Sequence, residues 1–118
     1  MKRVLIVDDA AFMRTSIRKM LEPHEYSIVG EAENGEQAIE QYKKLKPDIV
    51  TMDITMPVMN GLEATKAILV EDPNATIVMI SALGQETYVK EAIIMGAKNF
   101  IVKPFKSETV LKVLSALQ

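Results

Sequence analysis

The 118 residues contain no cysteine. That excludes a disulfide framework and any thiolate metal site. Histidine is almost absent too. The single one, His24, stands in "EPHEY" beside Pro23 and reads as an exposed loop residue, so a histidine phosphocarrier has poor support. No apolar run approaches the roughly 18 residues of a membrane span. The four-residue run after "MKR" is too short for the apolar region of a secretion signal. A soluble, cytoplasmic protein is the expectation. There is no basic stretch either: 14 Lys and Arg face 16 Asp and Glu, for a net charge of −2. Non-specific binding to a nucleic-acid backbone lacks its electrostatic footprint. Neither a GxGxxG nor a GxxxxGK[ST] sequence occurs, so dinucleotide and P-loop sites are excluded.

What is present suits one globular domain over residues 1–118, with 48% apolar and 25% charged residues. Strand candidates are Val4–Val7, Ser27–Gly30, Ile49–Met52, Thr76–Ile80 and Phe100–Val102. The first, third and fifth are short unbroken apolar runs, as expected for strands covered on both faces of a parallel sheet. Ser27–Gly30 reads instead as an edge strand. Between them run helical stripes: Met13, Ile17, Met20 and Leu21, with Pro23 as a stop; Ala38, Ile39, Tyr42 and Leu45, ending before Pro47; Leu62, Thr65, Ile68 and Leu69, ending before Pro73. Val89, Ala92 and Ile93 form the fourth, capped by Gly96; Val110, Val113, Leu114 and Leu117 form the fifth, with Ser107 as its N-cap. Strand starts fall about 22 to 27 residues apart, the length of right-handed βαβ crossovers. The fold class is α/β: a doubly wound, five-stranded parallel sheet with helices on both faces.

In such sheets ligands bind beyond the carboxyl ends of the strands. There the sequence places Asp8 and Asp9 after strand one, Asp53 after strand three, Ser81 after strand four and Lys103 after strand five. Asp9 alone could be a helix cap, and Lys103 alone a solvated surface residue. Together they bring three carboxylates, a hydroxyl and an ammonium to one edge. Three neighbouring carboxylates repel one another, and a hard divalent cation removes that conflict. Oxygen donors without thiol or imidazole favour Mg²⁺, with Mn²⁺ as the alternative. Lys103 and Ser81 then suit the oxygens of a phosphoryl group. Asp53, alone on the central strand, is the candidate nucleophile for an aspartyl phosphate, with Asp8 and Asp9 as the cation-binding pair.

"VLIVDD", "VTMDITMPVMNG", "MISA" and "FIVKPF", in that order over the whole chain, resemble the response-regulator receiver domains. The resemblance implies a flavodoxin-like (βα)5 fold with strand order 2-1-3-4-5. It implies phosphorylation of Asp53, Mg²⁺ held directly by Asp9, Asp53 and the backbone carbonyl of Thr55, and help from Asp8 through water. It further implies that Lys103 pairs with the phosphoryl group before a cis bond to Pro104, and that Ser81 and Phe100 form a switch pair. Phe100 could instead be simple core packing. By "KRVLIVDDAAFMR" and "PDIVTMDITMP" the chain is most similar to CheY-type single-domain chemotaxis regulators.

That likeness implies a monomeric phosphoacceptor switch rather than an enzyme. Its donor would be a CheA-like histidine kinase, and its outputs a flagellar-motor switch protein and a phosphatase. The output face would run roughly over residues 86–117. One alternative is the N-terminal receiver of a DNA-binding transcriptional regulator. A remoter one is a phosphohydrolase with an aspartate nucleophile, which would want a second Asp where Thr55 stands.

Overall fold

The computed structural model describes residues 1–117. Five strands, β1 (Lys2–Val7), β2 (Tyr26–Ala32), β3 (Ile49–Asp53), β4 (Ile77–Ser81) and β5 (Asn99–Val102), alternate with five helices. These are α1 (Ala11–Leu21), α2 (Gly35–Leu45), α3 (Gly61–Glu71), α4 (Glu86–Met95) and α5 (Ser107–Ser115). The sheet is parallel throughout, in the order β2-β1-β3-β4-β5. All of β3 is buried and β2 is an edge, as their sequences imply, and β4 is fully buried as well.

Side chains of successive strand residues alternate between the faces. Val4, Ile6, Ile49, Val78, Ile80 and Ile101 pack with Ile17 and Leu21 of α1 and Val110 and Leu114 of α5. Leu5, Val7, Val50, Met52, Ile77 and Met79 pack with α2, α3 and α4, through Ala38, Tyr42, Ala64, Ile68, Leu69, Val89 and Ala92. A sheet pinned on both faces has strand ends that cannot drift, which is what a site built from them needs.

Four expectations are corrected. The apolar run in β5 is not covered on both faces: β5 is the other edge strand, and only Ile101 of it is buried. Phe100 is 43% exposed, so it is not core packing. Ser107 is the first residue of α5, not its cap; Lys106 holds the N-cap position without a side-chain bond. Asp9 is likewise not the cap of α1, whose N-cap is Ala10. Gly96 does end α4, at φ 127°, and His24 is exposed in a 3₁₀ turn over Glu22–His24.

Two residues of the β3 region carry an energetic cost that substitution should remove. The Thr51 hydroxyl is buried between the Ile6 and Val78 rows and has no hydrogen-bond partner among the described residues. An unpartnered buried hydroxyl costs about 1–3 kcal/mol. Thr51→Val, of the same shape, should raise stability by about 1 kcal/mol or more in urea unfolding; a lower midpoint would show that the hydroxyl is satisfied. Val58, in the loop after β3, sits at φ 69°, where a β-branched residue is strained. It is exposed, so Val58→Asn should gain about 1 kcal/mol without repacking. An unchanged melting temperature would refute that strain.

Candidate functional site

The strand ends meet as the topology requires. One carboxylate oxygen each from Asp8, Asp9 and Asp53 lies within 4.8 Å of the others. Asp8 and Asp53 are buried, while Asp9 faces solvent. Lys103, from the far edge strand, reaches across: its Nζ donates to Asp53 Oδ1 at 3.1 Å and to Asp8 Oδ2 at 3.3 Å. The chain just past β5 is anchored to β4 by Lys103 N–H to the Ser81 carbonyl, at 2.7 Å. The Lys103–Pro104 bond is cis, as the resemblance implied.

Asp8 is the most constrained member. Its Oδ1 accepts from Ala10 N–H at 2.9 Å, and its backbone carbonyl accepts from Arg14 Nη1 at 2.6 Å. Arg14 and Arg18 both grip Glu31 of β2, at 2.8 and 2.6 Å, tying α1 to the sheet behind the acids. Their hydrogen bonds, Arg18's above all, hold the Glu31 carboxyl below its usual range.

Electrostatics single out Asp53. Burial first, then the charge of Asp8, push its pKa up to about 6 against the pull of Lys103. Burial opposes the charged form of Lys103, but Asp53 and Asp8 outweigh it and raise its pKa. Three carboxylates against one ammonium leave an excess of two negative charges when all are ionised.

Ser81 is buried at the end of β4, and Ile80 before it pairs with Asp53. Phe100 lies further back on β5, opposite Met79. With Ser81, Leu83, Ile94 and Val102 it lines a largely apolar groove of about 390 Å³ between α4 and β5. Thr55 is exposed, and its hydroxyl accepts from Gln85 Nε2 at 2.8 Å. Sequence reasoning did not find Gln85. A contact across 30 residues between two loops leaves no periodic signal.

Comparison with known proteins gives the family. The family model described as response regulator receiver domain matches residues 4–115. A chemotaxis protein CheY of Thermotoga maritima is 58% identical over 97% of this chain and 95% of its own. A Bacillus subtilis relative with a different name, protein CcdB, is 57% identical over 98% and 96%. The CheX-CheY-BeF3-Mg complex of Borrelia burgdorferi contains a chain of TM-score 0.94 at 42% identity, with 99% of this chain and 90% of that one covered. The chain belongs to the response regulator receiver domain family and is a phosphorelay response regulator.

Proposed function

We propose that Asp53 accepts a phosphoryl group from a histidine kinase, and that residues 1–118 act as one receiver domain whose partner-binding face this event switches. The observation that carries the reading is the convergence of Asp8, Asp9 and Asp53 around the Lys103 ammonium. The donor set fits Mg²⁺: hard oxygen ligands only, and an excess of two negative charges for a divalent ion to balance. Asp9, Asp53 and the Thr55 carbonyl are the ligands under this reading, with Asp8 acting from behind. When bound, the cation offsets the charge of the acids and of the incoming phosphoryl oxygens.

The chain's own residues do the rest. Ionised Asp53 attacks phosphorus through a carboxylate oxygen; the bond to the donor nitrogen breaks, and its electron pair leaves with the imidazole. Asp8 keeps Lys103 aimed at the reacting oxygen. Lys103 then has one contact with Asp8 and another with the phosphoryl group, which helps transfer by charge and position. Ser81, buried beside Asp53, supplies a directed hydroxyl. Phe100, half-exposed at the groove that Ser81 also lines, is the aromatic that moves inward when Ser81 turns to the phosphoryl. This is a stoichiometric switch rather than a turnover enzyme.

The likeness to proteins named for chemotaxis supports an output in chemotaxis. A CheA-like kinase is the donor under this reading, a flagellar-motor switch protein and a phosphatase are the partners, and the chain acts as a cytoplasmic monomer. Among the described residues, no helix is long and apolar enough to cross a membrane.

The test combines labelling and cation binding. With acetyl phosphate and Mg²⁺, the wild type should gain one phosphoryl mass and Asp53→Asn none; equal labelling would remove Asp53 from the role. Asp9→Ala should weaken Mg²⁺ binding by at least the roughly tenfold cost of losing even an outer partner of a metal site. Equal titration curves would take Asp9 out of the cation shell.

A further inference from the structure

Gln85 holds the N-cap position of α4 but does not cap it: its side chain makes no hydrogen bond to its own helix. It turns back instead. Its Oε1 accepts from Ala82 N–H at 2.7 Å, and its Nε2 donates to Thr55 Oγ1 at 2.8 Å. Thr55 lies two residues past Asp53, and Ala82 lies one past Ser81. Since β3 and β4 are neighbours, with Asp53 opposite Ile80, one amide group ties together the two loops that flank the acceptor. Little else holds the loop after β4. Leu83 is 79% exposed, and Gly84 stands at φ 89° with open space where a Cβ would be. The remaining bonds there, Gln85 N–H to the Ala82 carbonyl and Gly84 N–H to Glu86 Oε1, are long, at 3.3 and 3.4 Å.

We propose that Gln85 is a latch: in the unmodified protein it occupies the Ala82 N–H and braces Thr55, and it is released when a phosphoryl group on Asp53 claims that N–H. The inference rests on Asp53 being the acceptor. A phosphoryl group brings strong acceptor oxygens to the strand ends. The donors within the same edge are Lys103, Ser81 and the backbone N–H that follows Ser81, which Gln85 now fills. A bond to a charged oxygen is roughly twice as strong as one to a neutral amide oxygen, so the phosphoryl group displaces Oε1. Loss of that anchor also frees Nε2 from Thr55, and with it the residue at the N-cap position of α4. The latch thus converts an event at Asp53 into freedom at the start of the helix that walls the apolar groove. It makes Gln85 a positioning residue. Affinity for the anion is reduced by the fraction of molecules in which the latch is shut.

The experiment titrates the full chain with fluoroberyllate in saturating Mg²⁺, as wild type, Gln85→Ala, Thr55→Val and the double variant, while amide resonances are followed. Gln85→Ala should bind about three- to tenfold more tightly, the equivalent of one neutral hydrogen bond no longer broken. Its free Ala82 amide resonance should be displaced from the wild-type position. Thr55→Val should gain less, and the double variant no more than Gln85→Ala alone, because both substitutions undo one device. Affinity that is equal or weaker in Gln85→Ala would overturn the latch and leave Gln85 a mere staple between loops. So would gains that multiply in the double variant. Asp53→Asn serves as the separate control. If it binds as well as the wild type, or the wild type does not bind, the acceptor assignment itself falls and the latch with it. Wild-type binding that depends on Asp53 while Gln85→Ala changes nothing overturns the latch alone.

Discussion

An Asp53→Asn variant is expected to melt roughly 5–10 °C above the wild type at pH 7 without divalent cations, although it has lost the proposed acceptor. Burial and the neighbouring charge of Asp8 raise the Asp53 carboxyl from 3.8 to about 6, so the folded protein holds its proton more tightly than the unfolded chain does. The sign follows directly. Between about pH 4 and pH 6 the folded state binds the extra proton, and stability falls as pH rises through that window. By pH 7 the penalty has reached at most about 3 kcal/mol. Asparagine keeps the shape and removes the charge, so the variant avoids the penalty. At about pH 3.5, below both carboxyl pKa values, the two melting temperatures should converge. A difference independent of pH would show that charge at Asp53 is not the cause. Added Mg²⁺ should narrow the gap at pH 7 by raising the wild type selectively, since binding to the folded state alone stabilises it.

Gly61→Ala is expected to cost at least about 3 kcal/mol and to disturb Asp53, the proposed acceptor, at the same time. A Cβ at Gly61 would overlap the Asp53 carbonyl oxygen, and would lie 2.9 Å from the Asp53 carbonyl carbon and 3.1 Å from Ile54 Cα. These are backbone atoms of the central strand and the residue after it, and they cannot swing aside as a side chain does. The Gly61 N–H also donates to the Ile54 carbonyl at 2.8 Å, closing the loop tightly against the strand. Asn60 and Glu63 hold the other side through a reciprocal capping box, so α3 cannot retreat cheaply. Urea unfolding should show the loss, and acetyl-phosphate labelling at low temperature should slow as the Asp53 backbone is pushed out of place. A stability loss below about 1 kcal/mol would mean that the loop yields more readily than its bonds imply.

How much of this was legible beforehand depended on the kind of signal. Apolar runs at β1 and β3 announced buried strands, because a strand covered on both faces has no polar positions to spare. Each run stopped at an acid, which marked the site. The same logic misread β5: an apolar run also suits an edge strand whose exposed residues, Phe100 and Val102, line a groove. Ser107 fitted the composition of a cap, but the turn after Pro104 enters α5 one residue earlier, through Lys106. The Asp8–Lys103 bridge could be anticipated from topology alone, since both residues end strands of one parallel sheet. Gln85 could not. Its partners are set by how two irregular loops face each other, and neither loop carries a repeat that a sequence can display.

The Asp8–Lys103 bridge spans 95 residues of chain, and β5, which delivers Lys103, pairs with β4 alone. During synthesis the three acids emerge long before their ammonium does. Until the last strand docks, the cluster lacks its organic counter-charge and Asp53 lacks the group that aims at it. The charge balance of the strand-end cluster is thus completed only by the closing strand, so the last strand of the chain to be made is the one that neutralises acids laid down with the first.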